Sequence, residues 1–138
     1  MTAQVVYEGQ LRTVCTHIQS GTEIITDAPT DNHGQGEAFS PTDLVATALA
    51  SCVLTTMGIK AMQMRISVDG MRAEVKKIMA SDPRRISEIN VDIYMPDGRY
   101  TDKDKKIMEH TAMHCPVAIS LHPDMIKRVT FIWYTEAT

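Results

Sequence analysis

The segment Ser40-Pro41-Thr42-Asp43-Leu44-Val45-Ala46-Thr47-Ala48-Leu49-Ala50-Ser51-Cys52 constrains this chain more than any other. Ser40 suits an N-cap and Pro41 the first helical position. Asp43 stands where a capping-box acid reaches back to the cap. Its charge also favours the positive end of the helix dipole. From that start a small-residue helix is predicted to run to about Met62 or Gln63. Leu44, Ala48, Cys52, Thr55 and Ile59 fall on one helical stripe. Ala46, Ala48 and Ala50 allow a neighbouring backbone to come close.

The flanking segments read as a mixed α and β chain. Ala3 to Tyr7 and Leu11 to Ile18 are predicted strands on either side of Glu8-Gly9-Gln10. Ser20-Gly21-Thr22 turns the chain into a third strand, Glu23 to Thr26. Asp27 to Phe39 is a long loop with Pro, Asn and two Gly, leading into the cysteine helix. Met71 to Met79 and Ile86 to Met95 form a strand pair around the turn Ser81 to Arg84. Ile89, Val91, Ile93 and Met95 alternate onto one face. Thr101 caps a charged helix, Asp102 to about Met113, with Asp104 in the capping-box position. Pro116 interrupts it, so the chain kinks or starts a new short helix there. Residues 126 to 135 form a closing strand. No repeat or second domain is visible, so a single domain spanning 1–138 is expected.

Composition narrows the function classes. The formal net charge is -3 and charged residues make up 22% of the chain, so no basic footprint for nucleic acid exists. The first residues lack the basic-then-apolar pattern of a signal peptide. The longest apolar runs fall far below the ~18 residues that span a bilayer. A cytoplasmic protein with no membrane partner is expected. Ten methionines suit adaptable packing or a permissive apolar pocket.

Three cysteines, an odd count without Cys-x-x-Cys, argue against a disulfide framework and a zinc knuckle. No cofactor and no metal is expected. In a reducing compartment, a disulfide that does form is catalytic or redox-sensing. The thiolate is the reactive species, and an unperturbed thiol near ~8.5 is mostly protonated at neutral pH. Cys115, just before Pro116, sits at a helix start where backbone N–H groups can stabilise its anion. Cys52 lies turns deep in its helix and needs an imported cation. Cys15, in an early strand, reads as a small buried hydrophobe. His110 and His114 lie one turn apart, but no His-Glu-x-x-His pattern accompanies them, and they read as a helix-surface pair. Gly34-Gln35-Gly36 is too short for a phosphate loop.

The Ser40 to Cys52 motif, followed downstream by the Cys115-Pro116 helix start, resembles the OsmC/Ohr family, the osmotically inducible protein C and organic hydroperoxide resistance proteins. The order of elements matches along nearly the whole chain. The resemblance implies an α+β fold with curved antiparallel sheets around two central cysteine-bearing helices, built as an intertwined homodimer. It implies a thiol peroxidase in which Cys52 attacks the peroxide and becomes a sulfenic acid. Cys115 then resolves it as a disulfide, and an external dithiol reduces that bond. It further implies an arginine and a glutamate that hold each other and activate the thiolate.

Arg12, the only arginine before Arg65, is the matching arginine; its other reading is a solvated strand residue. Thr42 occupies the position where the peroxidase motif carries its glutamate. Glu37, in the preceding loop, is the candidate replacement. The chain stands nearer the less-characterised OsmC-like branch. Beside a structural dimer whose cysteines are merely buried, two readings remain open. One is an organic hydroperoxide peroxidase, with the apolar stripe, Met57 and Met62 favouring an organic substrate. The other is a protein of the same fold that binds a small apolar or thiol-reactive ligand at the dimer interface with little turnover.

Overall fold

In the computed structural model, which describes residues 1–133, the chain opens with strands β1 (Ala3–Gly9), β2 (Arg12–His17) and β3 (Glu23–Asp27). Both pairings are antiparallel, in the order β1-β2-β3. The β1–β2 turn passes through three consecutive left-handed residues: Gly9 at φ 91°, Gln10 at 54° and Leu11 at 64°. That run accompanies an irregular register between Tyr7 and Gly9. The predicted loop follows, with one 3-10 turn at Thr30–Asn32. It is tied back by Gly34 N–H to Pro29 O and Gly36 N–H to Ala28 O. A Cβ on Gly34 would fall 1.7 Å from Ala28 O, so only glycine fits there.

The cysteine helix, α1, spans Pro41–Met64. Its predicted cap is present: Asp43 N–H donates to Ser40 Oγ and Ser40 N–H donates to Asp43 Oδ2, both at 3.0 Å. Next come β4 (Arg72–Ala80), β5 (Arg85–Tyr94), α2 (Asp102–Ala112), α3 (Pro116–Ser120) and β6 (Ile126–Ile132). Thr101 and Asp104 form a second reciprocal capping box. Residues 134 and 135 of the expected closing strand lie outside the described residues.

The second sheet, β4-β5-β6, departs from the all-antiparallel expectation. β4 and β5 form an antiparallel hairpin, whereas β6 runs parallel to β5, from Glu88↔Ile126 to Tyr94↔Ile132. The intervening α2 and α3 supply the long connection that a parallel neighbour requires.

The chain resolves into two compact units, Met1–Val45 and a second beginning at Ala46. The buried residues of the first are Thr26, Asp27 and Ser40, none of them apolar. The second holds the apolar core. Ala46, Leu49, Ala50, Val53, Met57 and Ala61 of α1 meet Ile89, Val91 and Ile93 of β5, Met95, and Met108 and Ala112 of α2.

The buried line of α1 is therefore not the predicted stripe. Ala48, Thr55 and Ile59 are exposed, and Leu44 and Cys52 are half-buried. α1 is apolar nearly all round, so periodicity alone does not say which face meets the sheet. By length and composition α1 could also cross a membrane, contrary to the expectation from short apolar runs. The core helix of a water-soluble protein passes the same test.

Candidate functional site

α1 and α3 bring the two predicted cysteines together. Cys52 sits on the flank of α1, half-buried, between the core residues Leu49 and Val53. Cys115 is fully buried at the N-cap of α3, with Pro116 at the first helical position. Its Sγ accepts a hydrogen bond from Ala118 N–H at 3.4 Å, the helix-start contact expected from sequence. Both thiols are free, and Cys52 is near enough to influence the ionisation of Cys115.

Electrostatics sort their properties. Burial pushes the Cys115 thiol up, and its hydrogen bond and charge interaction with Cys52 push it the same way. The N–H groups of Ala118 and Val117 pull it down, but burial outweighs them. At neutral pH Cys115 is a thiol. The helix start orients its sulfur without ionising it.

Arg12 and Glu37 also meet, within the first unit, and they do so through a residue that sequence reasoning missed. Asp27, at the end of β3, lies directly across from Arg12 in the β2–β3 register. Arg12 Nε and Nη2 donate to the two Asp27 carboxylate oxygens, each at 2.7 Å. Arg12 Nη2 also donates to Glu37 Oε2 at 3.0 Å, and Glu37 N–H donates to Asp27 Oδ2 at 3.1 Å.

Asp27 is 1% exposed, whereas the Glu37 side chain is 66% exposed. The buried acid is thus the anchor and Glu37 a peripheral second partner. The hydrogen bond from Arg12 holds the Asp27 carboxyl below the usual carboxylate range, against the opposing effect of burial. The two carboxylates raise Arg12 further above its already high value. The signal for Asp27 was in the hairpin: with the turn at Ser20-Gly21, Asp27 falls opposite Arg12, where opposite charges pair across strands.

The remaining candidates are placed as follows. Cys15 is half-buried in β2, with Thr13 Oγ1 3.8 Å from its sulfur. The His110 and His114 rings lie 4.4 Å apart, and His114 Nδ1 bonds the His110 carbonyl at 2.8 Å. Among the described residues, no three His, Cys, Asp or Glu side chains converge to hold a metal ion. Met57 is sealed in the core and Met62 is 80% exposed. An apolar cavity in the second unit is lined by Leu49, Val53, Ala112, Met113, Ala118, Ile119, Lys127 and Val129.

The family model described as OsmC-like protein matches residues 34–127. Among solved structures, the chain is similar to a candidate osmotic stress induced and detoxification response protein from Psychrobacter arcticus 273-4. Identity is 55%, coverage 96% of each chain, and the TM-score 0.92. It is also similar to an organic hydroperoxide resistance protein OsmC from Legionella pneumophila, at 13% identity over 95% of this chain and 96% of that one, TM-score 0.75. The organic hydroperoxide resistance protein OhrB of Bacillus subtilis matches at 15% identity over 96% and 98%, TM-score 0.68. The last two likenesses are likenesses of fold. No curated protein sequence matches the chain.

Proposed function

This chain belongs to the OsmC-like family, and from that premise we propose that it is a thiol-dependent peroxidase that reduces organic hydroperoxides to alcohols. Cys52, as thiolate, attacks the peroxide and breaks the O–O bond. The alkoxide leaves, takes a proton as the alcohol, and Cys52 becomes a sulfenic acid. The Cys115 sulfur then attacks the Cys52 sulfur, forming the disulfide and releasing water. An external dithiol reduces that disulfide and becomes oxidised in turn. No cofactor or metal enters the cycle.

The observation that carries this reading is a pair of free thiols, one half-buried and one fully buried, near enough for Cys52 to influence the ionisation of Cys115. Arg12 keeps the role that the resemblance implies for it, and within the first unit Asp27 and Glu37 hold it in place. Three free cysteines fit a reducing compartment, which supports a cytoplasmic location. Apolar side chains exposed on β1 and α1 support a homodimer, since a second copy would cover them.

Treatment with cumene hydroperoxide or tert-butyl hydroperoxide, followed by mass spectrometry, tests the cycle. The wild type should lose two hydrogens through a Cys52–Cys115 disulfide. Cys52→Ser should not, and Cys115→Ser should stop at a trappable sulfenic acid. A wild type that stays reduced under modest peroxide would sink the peroxidase reading. The second reading, a binding protein of the same fold with little turnover, would then stand. It is favoured by the burial that keeps Cys115 protonated.

A further inference from the structure

β6 breaks its own pattern at one position. Along Ile126–Ile132 the residues alternate exposed and half-buried, and the inward positions are Lys127, Val129 and Phe131. Strand periodicity calls for an apolar residue at all three, because they share the core-facing side of the sheet. Lys127 pairs in register with Ile89, a fully buried residue. A lysine there is a local conflict that the fold does not require, the kind of departure that marks functional positions.

The lysine stands at a cavity. Leu49, Val53, Ala112, Ala118, Val129 and Lys127 line about 130 Å³ of mostly apolar space. Its lining includes Leu49 and Val53, chain neighbours of Cys52 in α1, and Ala118, whose N–H binds Cys115 Sγ. Lys127 Nζ donates to the His122 backbone carbonyl at 3.2 Å, and no carboxylate pairs with it among the described residues. Its ammonium has three donors, so at least one remains for an anion at the rim.

We propose that this cavity takes the short carbon chain of a substrate that ends in a carboxylate, and that Lys127 selects for that charge. The inference rests on the peroxidase reading and names its substrate class: small organic hydroperoxides bearing a carboxylate. Size supports a short chain, since an apolar cavity of about 150 Å³ holds a benzene molecule. Charge supports the carboxylate, since a partly desolvated ammonium binds it by charge-assisted hydrogen bonds.

Two measurements test this together. The first compares kcat/KM for a neutral tertiary hydroperoxide with that for one of similar size ending in a carboxylate. Wild type should prefer the anionic substrate. Lys127→Met should lower the anionic-to-neutral ratio by about tenfold, and Lys127→Arg should keep most of it. The second uses hexanoate, which carries no peroxide, and reads its Kd by NMR titration against hexanol as the uncharged control. Hexanoate should bind wild type more tightly than hexanol does, and about tenfold more weakly after Lys127→Met.

An unchanged substrate ratio in Lys127→Met, or no hexanoate binding by wild type, overturns the assignment. If no hydroperoxide is turned over yet hexanoate binding depends on Lys127, the peroxidase reading fails while the carboxylate pocket stands.

Discussion

Asp27 is the residue on which the first unit's electrostatics turn. Its carboxylate is almost fully buried, receives two bonds from Arg12 and one from the Glu37 backbone, and is held below its ordinary range. A depressed folded-state value contributes stability that is present above the unfolded carboxylate range, near ~4, and is lost as pH falls through the folded value. Asp27→Asn should therefore lower stability at neutral pH and flatten the acid limb of a denaturation-against-pH curve. Glu37→Gln, at an exposed position, should change either very little. Equal effects from both variants in urea titrations would contradict the anchor role.

Cys115 runs the other way. Its raised value means stability that is complete below the unfolded thiol range, near ~8.5, and lost as pH rises through the folded value. The same protonation governs chemistry. The step from sulfenic acid to disulfide should accelerate with pH above neutrality, close to tenfold per unit until Cys115 ionises, in stopped-flow traces of the oxidised protein. A flat profile would mean that Cys115 is not the attacking sulfur.

At the scale of elements, α1 depends on a cap and a face. Ser40→Ala removes the oxygen that accepts Asp43 N–H and should cost about 1 kcal/mol in thermal or urea unfolding. Leu49→Ala opens a void in the core beside Cys52 and should cost about 2–5 kcal/mol. Both element starts were legible, because a capping box is a local chemical pattern: Ser40 with Asp43 and Thr101 with Asp104 both form it. The alternation of Ile89, Val91, Ile93 and Met95 was legible for the same reason, and all four are buried. The buried face of α1 was not. Its alanines and leucines give a helix that packs well on several sides, and only the arriving sheet selects Ala46, Leu49, Val53 and Met57 over Ala48, Thr55 and Ile59. The parallel direction of β6 was likewise beyond local pattern, since it depends on where α2 and α3 deliver the chain.

For the whole molecule, the exposed apolar surface needs an occupant. Val5 is 59% exposed, Tyr7 64% and Ile59 55%, and the first unit has no buried apolar residue. A three-stranded sheet without an apolar face packed on something is marginal in water. A homodimer is the expected state, and Ile59→Glu on α1 should weaken it by burying an unpaired charge. Sedimentation velocity should show a dimer for wild type and a shift toward monomer for the variant. A wild-type monomer at micromolar concentration would refute this.

Family membership follows from the Ser40 to Cys52 motif and the Cys115-Pro116 start, since helix caps and residue order are written in neighbouring positions. The identity of Cys52, Cys115 and Arg12 as candidates was visible in the same way. What surrounds each of them was not. Asp27 holds Arg12 because two strands pair in one register. Cys115 stays protonated because burial outweighs two backbone donors. Lys127 lines a cavity because β6 lies beside β5, where residues of α1 and α3 line the same space. The sequence by itself determined which thiols lie at which helix positions. Only the tertiary structure decided their protonation, their carboxylate partners and the pocket beside them, because desolvation and pairing depend on groups far apart in the chain.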